Sequence, residues 1–205
     1  MTLKDHFKNA LLVGMAGAAF WASSHLGTLL FRSISGYFER IQRYEEMSYN
    51  QVIADVDTVE EAEWYVRNYI LPYERNRTDS FRLIHQNRSG DCSEAVVAAA
   101  ALLSDDGFPP TYLAMFDKDN ENGHGVFVYQ QNGKWGTIGI NSSDNYPPTF
   151  SSLDGIVRRL GYQVYYFGTV GENGIIPDWI STGRDLVFTP EENARLNLKY
   201  ERILN

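Results

Sequence analysis

The chain has 205 residues, of which 43% are hydrophobic and 21% are charged, and this composition argues against disorder as the main state. The formal net charge of −8, without a cluster of lysine and arginine, argues against a nucleic-acid binder. The single cysteine, Cys92, excludes an intramolecular disulfide framework and a cysteine-rich zinc site.

The first notable stretch is residues 9–31, which carry no formal charge and are long enough for a membrane span of ~20 residues. Small residues repeat at every fourth position, as in helices that pack closely in a bilayer: Ala10, Gly14, Ala18 and Ala22. The stretch predicts an N-terminal hydrophobic helix through which the protein associates with a membrane. Without such an anchor, we expect the protein to be cytoplasmic. Two alternatives stay open, a cleaved signal peptide with Ala16-Gly17-Ala18 as its site, and a long soluble helix packed on the domain or on a partner.

We therefore divide the chain into residues 1–45, the hydrophobic helix with its linker, and residues 46–205, the main domain. Within the latter, Thr58-Val59-Glu60-Glu61 forms a capping box that starts a helix. Pro72 ends that run, and the polar residues 73–88 predict a short helix and a loop.

Next comes Cys92, directly after the Gly90-Asp91 turn and before an almost uncharged, alanine-rich run that reaches Leu103. A helix that is apolar on all sides has no face for water, so we expect it to be buried. The free N–H groups and the positive dipole end of its first turn favour a thiolate at Cys92. The pattern predicts that Cys92 is a nucleophile, with Gly107 closing the helical region.

Beyond Gly107 the hydrophobic pattern takes a period of two. Strands are predicted at residues 111–116, 125–131 and 135–140, and Asn132-Gly133 predicts a type I′ turn between the last two. A capping box at residues 151–154 predicts a helix that ends at Gly161, followed by a strand at residues 163–170. Helices first and adjacent strands later indicate an α+β fold with an antiparallel sheet.

His124 lies at the start of the second strand, and its same-face neighbours Val126 and Val128 indicate that this face points into the core. A cysteine at a helix N-terminus and a histidine on a strand packed against that helix can form a nucleophile–base pair. A third polar group then orients the imidazole.

These residues resemble the core of the transglutaminase-like superfamily, through Gly90-Asp91-Cys92 with its alanine-rich helix, then Gly123-His124, then Gly133-Lys134-Trp135. The resemblance covers roughly residues 80 to 145, about a third of the chain. It implies a papain-like fold, Cys92 as the nucleophile and His124 as the base. The family usually has an aspartate shortly after the strand that contains the tryptophan. Counted from Trp135, the corresponding position in this sequence is Gly139, which is not an acid. Asn141 and Asp144 follow slightly later. The third residue of the site, which would orient His124, is therefore Asn141, Asp144 or absent.

The predicted function is thiol-dependent acyl transfer from an amide bond of a protein or peptide, without a cofactor or metal. The type is a peptidase or amidase, or else a transglutaminase, and hydrolysis is favoured. The oxyanion donors are the N–H of Cys92 and Gln86, whose position six residues earlier is similar to that of the oxyanion glutamine in papain-like enzymes. The alternative is a catalytically degenerate domain that serves as a membrane-anchored scaffold or interaction subunit.

Overall fold

A computed structural model describes residues 25–73, 79–117, 123–170 and 178–180. Most of the predicted hydrophobic segment, with its small-residue stripe and the Ala16-Gly17-Ala18 site, lies outside these residues. Within the described ranges no helix combines the length and the apolar character that a bilayer crossing requires. The chain divides into two compact units between Glu46 and Met47. The described part of the first unit is helix α1 (His25–Glu46).

The described part of the second unit begins with four helices, α2 (Tyr49–Asp55), α3 (Val59–Asn68), α4 (Phe81–Asn87) and α5 (Cys92–Leu102). Three of them, α2, α3 and α5, start at a side-chain cap. At the start of α3, Thr58 Oγ1 accepts a hydrogen bond from the N–H of Glu61 at 3.2 Å, which confirms the predicted start. The short helix predicted within residues 73–88 is also present, as α4.

Helix α5 is the buried centre of this unit. Every residue from Glu94 to Ala100 is buried, as is Leu102, which confirms the prediction of a helix without a solvent face. The helix ends at Leu102, and Gly107 takes the left-handed conformation (φ +79°) in the turn that follows. This helix packs against the neighbouring strand β4 (Gly123–Gln131) and thereby brings Cys92 to the sheet.

One antiparallel sheet of six described strands completes the α+β fold. Besides β4, its strands are β3 (Thr111–Phe116), β5 (Lys134–Ile138), β6 (Tyr146–Phe150), β7 (Val164–Thr169) and β8 (Asp178–Ile180). Their order in the sheet is β6-β5-β4-β3-β7-β8. Asn132 and Gly133 both have positive φ values, 52° and 72°, so the predicted type I′ turn joins β4 and β5. Helix α6 (Leu153–Leu160) covers one face, where Ile156 and Val157 pack on the core.

Strand β6 and the start of helix α6 differ from the sequence prediction. Strand β6 was not predicted, because Pro147 and Pro148 argue against a strand. The two prolines are tolerated because β6 lies at the edge of the sheet. The cap of α6 is Ser152, whose hydroxyl accepts from the N–H of Gly155, so the predicted capping box at residues 151–154 is one residue too early.

The chain just before Cys92 is held by a small parallel pair of strands, β1 (Leu71–Pro72) and β2 (Ser89–Gly90). The N–H of Leu71 donates to the carbonyl of Arg88, and that of Tyr73 to the carbonyl of Gly90, both at 2.8 Å. These bonds tie the turn that precedes α5 to the end of the α3 region. They fix the position from which the Cys92 helix starts.

Glu94, in the first turn of α5, is fully buried and completes this anchor. Its carboxylate accepts from the N–H of Asp91 at 2.9 Å and from the N–H of Asp79 at 3.1 Å. A Cβ on Gly90 would lie 2.7 Å from Cβ of Glu94, so only glycine leaves room for this side chain. A buried carboxylate is stable when several donors satisfy it, and here they join two loops to the helix start.

We expect Glu94→Ala to lower the free energy of unfolding by about 2–4 kcal/mol, because it leaves buried N–H donors without their acceptor. Urea denaturation followed by circular dichroism measures this loss. The matched control is Glu63→Ala, which removes a partly exposed ion pair with Arg67 and should cost less than about 1 kcal/mol. Equal losses in the two variants would contradict the anchoring role of Glu94.

Candidate active site

Cys92 is the first residue of α5, and its thiol is free and partly exposed. The preceding residue, Asp91, caps the helix; its Oδ1 accepts from the N–H of Ser93 at 2.8 Å and from that of Glu94 at 3.3 Å. None of the hydrogen bonds described in this part of the chain uses the N–H of Cys92 itself. The thiol therefore sits beside a backbone donor at the positive end of a helix dipole.

His124 lies near the start of β4, paired in register with Met115 of β3. Val126 and Val128, two and four residues later on the same face, are fully buried in the core covered by α6, as the alternation predicted. The side chain of His124 is itself only 12% exposed. The ring of Tyr162 stacks on it with 5.9 Å between centroids and 18° between planes. The imidazole is thus held in a largely dry position.

Asp144 supplies a carboxylate to this imidazole. Its Oδ2 lies 3.0 Å from Nε2 of His124, and its side chain is 6% exposed. The Nε2 proton does not point along the line to the carboxylate, so the contact is a close charge pair rather than a linear hydrogen bond. Because Nε2 faces Asp144, Nδ1 is the ring nitrogen left for Cys92, which also interacts with the imidazole.

The carboxylate is positioned by a short 3₁₀ turn, Ser142–Asp144, that follows β5. The N–H of Asn141 donates to Oδ2 of Asp144 at 3.1 Å, and the hydroxyl of Ser143 donates to Oδ1 at 3.3 Å. Asn145 clamps the loop by bonding both the N–H and the carbonyl of Gly139 at 3.0 Å. A Cβ on Gly139 would lie 2.5 Å from Cβ of Asp144, so this glycine makes room for the acid.

The contacts between His124, Asp144 and Cys92 favour the charged forms of His124 and Asp144. Burial acts to lower the pKa of His124, but contacts with Asp144 and Cys92 outweigh it and raise the pKa to about 9. Burial acts to raise the pKa of Asp144, but contact with His124 and hydrogen bonds from Asn141 hold it below its ordinary value. At neutral pH, His124 is therefore an imidazolium beside a carboxylate.

Two tyrosines extend the site around the sulfur. Burial, the charge of Asp144 and the charge of Cys92 raise the pKa of Tyr162. Burial, followed by the charges of Cys92 and Asp91, raises the pKa of the fully buried Tyr112 on β3. Both phenols are therefore un-ionised at neutral pH and lie close enough to Cys92 to sense its charge.

A cleft of about 300 Å³ opens beside His124 on the side of Asp144. Its lining is mostly polar: His124, Asn141, Ser143, Asp144, Tyr146, Arg159, Leu160 and Tyr162. Across the described ranges, no group of three or more histidine, cysteine, aspartate or glutamate side chains is arranged to hold a metal ion.

Of the residues predicted from the sequence, Cys92, His124 and Asp144 come together in space. Asn141 bonds to Asp144 rather than to His124, although it lines the same cleft. Gln86 is exposed on α4, and no described hydrogen bond joins it to Cys92, so its role stays a prediction. Tyr112 and Arg159 were not predicted, because a buried strand tyrosine and a helix-end arginine carry no distinguishing sequence pattern.

Comparison with known proteins adds little to this description. No family model matches the chain, and no curated protein matches it. Among solved structures, the fold is similar to "Legionella pneumophila LapG (EGTA-treated)", with 10% identity and a TM-score of 0.41 over 82% of this chain and 86% of that one. The likeness is distant, and nothing about the site rests on it.

The raised pKa of His124 predicts a specific loss of stability in alkaline solution. An unfolded histidine titrates near ~6.5, so the interactions of the imidazolium stabilise the fold fully below that pH. This contribution is lost as the pH rises through about 9. Urea unfolding of the wild type and of His124→Gln between pH 6 and 10 measures it. The difference between the two should shrink across this window, and a constant difference would show that the imidazole is not charged in the fold.

Proposed function

We propose that this chain is a thiol-dependent peptidase that hydrolyses an amide bond of a protein or peptide. In this proposal Cys92 is the nucleophile, His124 is the acid and base, and Asp144 holds and charges the imidazole. The observation that carries it is the His124–Asp144 contact of 3.0 Å on an imidazole that also interacts with Cys92. A base that lies between a nucleophile and an orienting group is the arrangement that acyl transfer requires.

The first half of the reaction forms a thioester. The Cys92 thiolate attacks the carbonyl carbon, and the carbonyl oxygen becomes an oxyanion within reach of the Cys92 N–H at the start of α5. The oxyanion then collapses and the C–N bond breaks. The His124 imidazolium gives its proton to the departing amine.

The second half returns the site to its starting state. Neutral His124 takes a proton from a water molecule, whose oxygen attacks the thioester carbon. The C–S bond breaks, and the carboxylic acid product leaves as the Cys92 thiolate and the His124 imidazolium form again. The raised pKa of His124 favours this charged resting pair, in which the proton needed by the leaving amine is already in place.

The arrangement of the elements also supports a papain-like core of the transglutaminase-like type. The nucleophile begins a buried helix packed on an antiparallel sheet, and the base and the acid follow in chain order on β4 and after β5. Hydrolysis is preferred to amine transfer because Asp144, the acidic group that lines the cleft, is already paired with His124. A free acidic group would be needed to attract an amine acceptor.

Alkylation tests the reactive thiol without any knowledge of the substrate. Iodoacetamide reacts with thiolates, and an ordinary cysteine thiol has a pKa of ~8.5. At pH 6.5 we expect the wild type to be labelled at Cys92 about tenfold faster, or more, than His124→Ala, because the imidazolium stabilises the thiolate. Intact-mass spectrometry gives the rates, and the chain unfolded in urea provides the ordinary-thiol reference. Equal rates in the wild type, the variant and the unfolded chain would rule out the proposed pair.

Peptide cleavage tests the role of Asp144, the third residue of the proposed site. The full chain is incubated with a proteome-derived peptide library, and new termini are identified by mass spectrometry. Cys92→Ser should abolish cleavage, and Asp144→Asn should lower its rate by about 10²–10⁴-fold, because the imidazole loses its partner. The matched control is Asp154→Asn in the first turn of α6, which also removes one negative charge but should keep most of the activity. Similar losses in both aspartate variants would argue against a direct role for Asp144.

A further inference from the structure

Arg159 lies at the end of α6, and it lines the cleft beside His124. Its Nε donates to the hydroxyl of Tyr146 at 3.2 Å, and its guanidinium carbon lies 5.5 Å from the centre of the Tyr146 ring. Tyr146 is itself fixed, since its N–H donates to Thr137 Oγ1 and its ring packs edge-on against Phe150. Two contacts thus hold the guanidinium against Tyr146, and no described hydrogen bond uses its terminal NH₂ groups.

The charge of Arg159 has no carboxylate partner among the residues that the structure describes. This contrasts with Arg67, whose Nη1 lies 2.8 Å from the carboxylate of Glu63 one helical turn away. An arginine fork that is fixed on its Nε side can still bind a carboxylate through its terminal N–H groups. A position near the C-terminus of α6 stabilises any basic residue, but it does not require the contacts with Tyr146.

Arg159 is the cation of the cleft lining that is left for an anionic ligand. The positive charge of His124 is already offset by Asp144 and by the Cys92 thiolate of the proposed mechanism. Within a screening length of ~8 Å, a bound group experiences Arg159 more strongly than the net charge of −8 that the whole chain carries.

We propose that this cleft is a substrate subsite, in which Arg159 binds a carboxylate of the peptide close to the bond that Cys92 attacks. The proposal rests on the proposed peptidase function and adds a preference for acidic substrates. The carboxylate is either an aspartate or glutamate side chain or the C-terminus of the peptide. The side-chain amide of Asn141 lines the same cleft and can donate a further hydrogen bond to the carboxylate.

The test uses the full chain and a set of electrophilic peptides that alkylate Cys92. Each is an alanine peptide with a central diaminopropionate residue that carries a chloroacetyl group. One glutamate, or one glutamine of the same size, is placed at successive positions on either side. The ends are blocked, except in a further series that has no glutamate but a free C-terminal carboxylate at varied distance. Intact-mass spectrometry gives the labelling rates.

We expect one position at which the carboxylate peptide labels Cys92 about tenfold faster than its neutral match. Arg159→Gln should remove this preference, and Arg159→Lys should retain part of it, since lysine keeps the charge but not the fork. The control is Arg158→Gln, which removes an equal charge from the neighbouring exposed position that does not line the cleft. It should leave the preference intact. The series in which the preference appears identifies side chain or C-terminus as its source.

Two results would overturn the subsite. The first is labelling with no carboxylate preference, or with a preference that Arg159→Gln and Arg158→Gln change equally. The second is reaction of Cys92 with iodoacetamide, in a manner dependent on His124, but with none of the peptides. In that case the reactive pair stands and the cleft does not bind peptide. Loss of the His124 dependence of iodoacetamide labelling would instead count against the proposed function itself.

Discussion

The candidate site depends on one close approach, that of Asp144 to Gly139. Gly139 directly follows β5, at the position where direct register from Trp135 predicts an acid. A glycine there leaves a space, and Cβ of Asp144 lies 2.5 Å from the point that a Gly139 Cβ would occupy. The acid thus comes from five residues further along the chain, folded back by a 3₁₀ turn. Without that turn the buried His124 would lose its carboxylate partner, which is costly for an imidazolium.

Helix α5 imposes a second constraint, because it is largely buried from Glu94 onward and its start is held by side chains of the chain itself. Its N-terminal donors are satisfied by Asp91 and Glu94, both supplied by the chain itself. This leaves the N–H of Cys92 beside the sulfur, at the end of a helix that cannot move without disrupting the core. The rigidity that burial imposes on the helix is also what fixes the nucleophile against the sheet. Packing and chemistry therefore have a common origin in the apolar character of residues 95–103.

The features that the sequence predicts well are those encoded by local patterns. The alanine-rich run, the period-two strands and the Asn132-Gly133 turn each correspond to an element of the fold. Features that depend on tertiary structure were not predicted from the sequence. Strand β6 contains two prolines that only an edge position tolerates, and the short β1–β2 pair joins residues far apart in the chain. The choice between Asn141 and Asp144 was equally undetermined, since it depends on how a turn of three residues bends.

The same reasoning explains why Arg159 carries no sequence signal. Arginine in the last turn of a helix is common, because it complements the helix dipole, and only the fold shows that this one reaches Tyr146 and the cleft. Its neighbour Arg158 has the same chemistry at the next position but does not line the cleft. The helical rotation of about 100° per residue separates the two side chains. The distinction is therefore geometric and cannot be read from composition.

The charges of the acid–base pair and of the proposed subsite stay balanced through the proposed reaction. In the resting state the His124 imidazolium and the Cys92 thiolate offset each other, as do Arg159 and Asp144. When His124 gives its proton to the leaving amine, the sulfur has become part of the thioester, so the charges of His124 and Cys92 disappear together. Arg159 keeps its charge throughout. The attraction of an acidic peptide to the cleft therefore depends on Arg159 rather than on the protonation of His124.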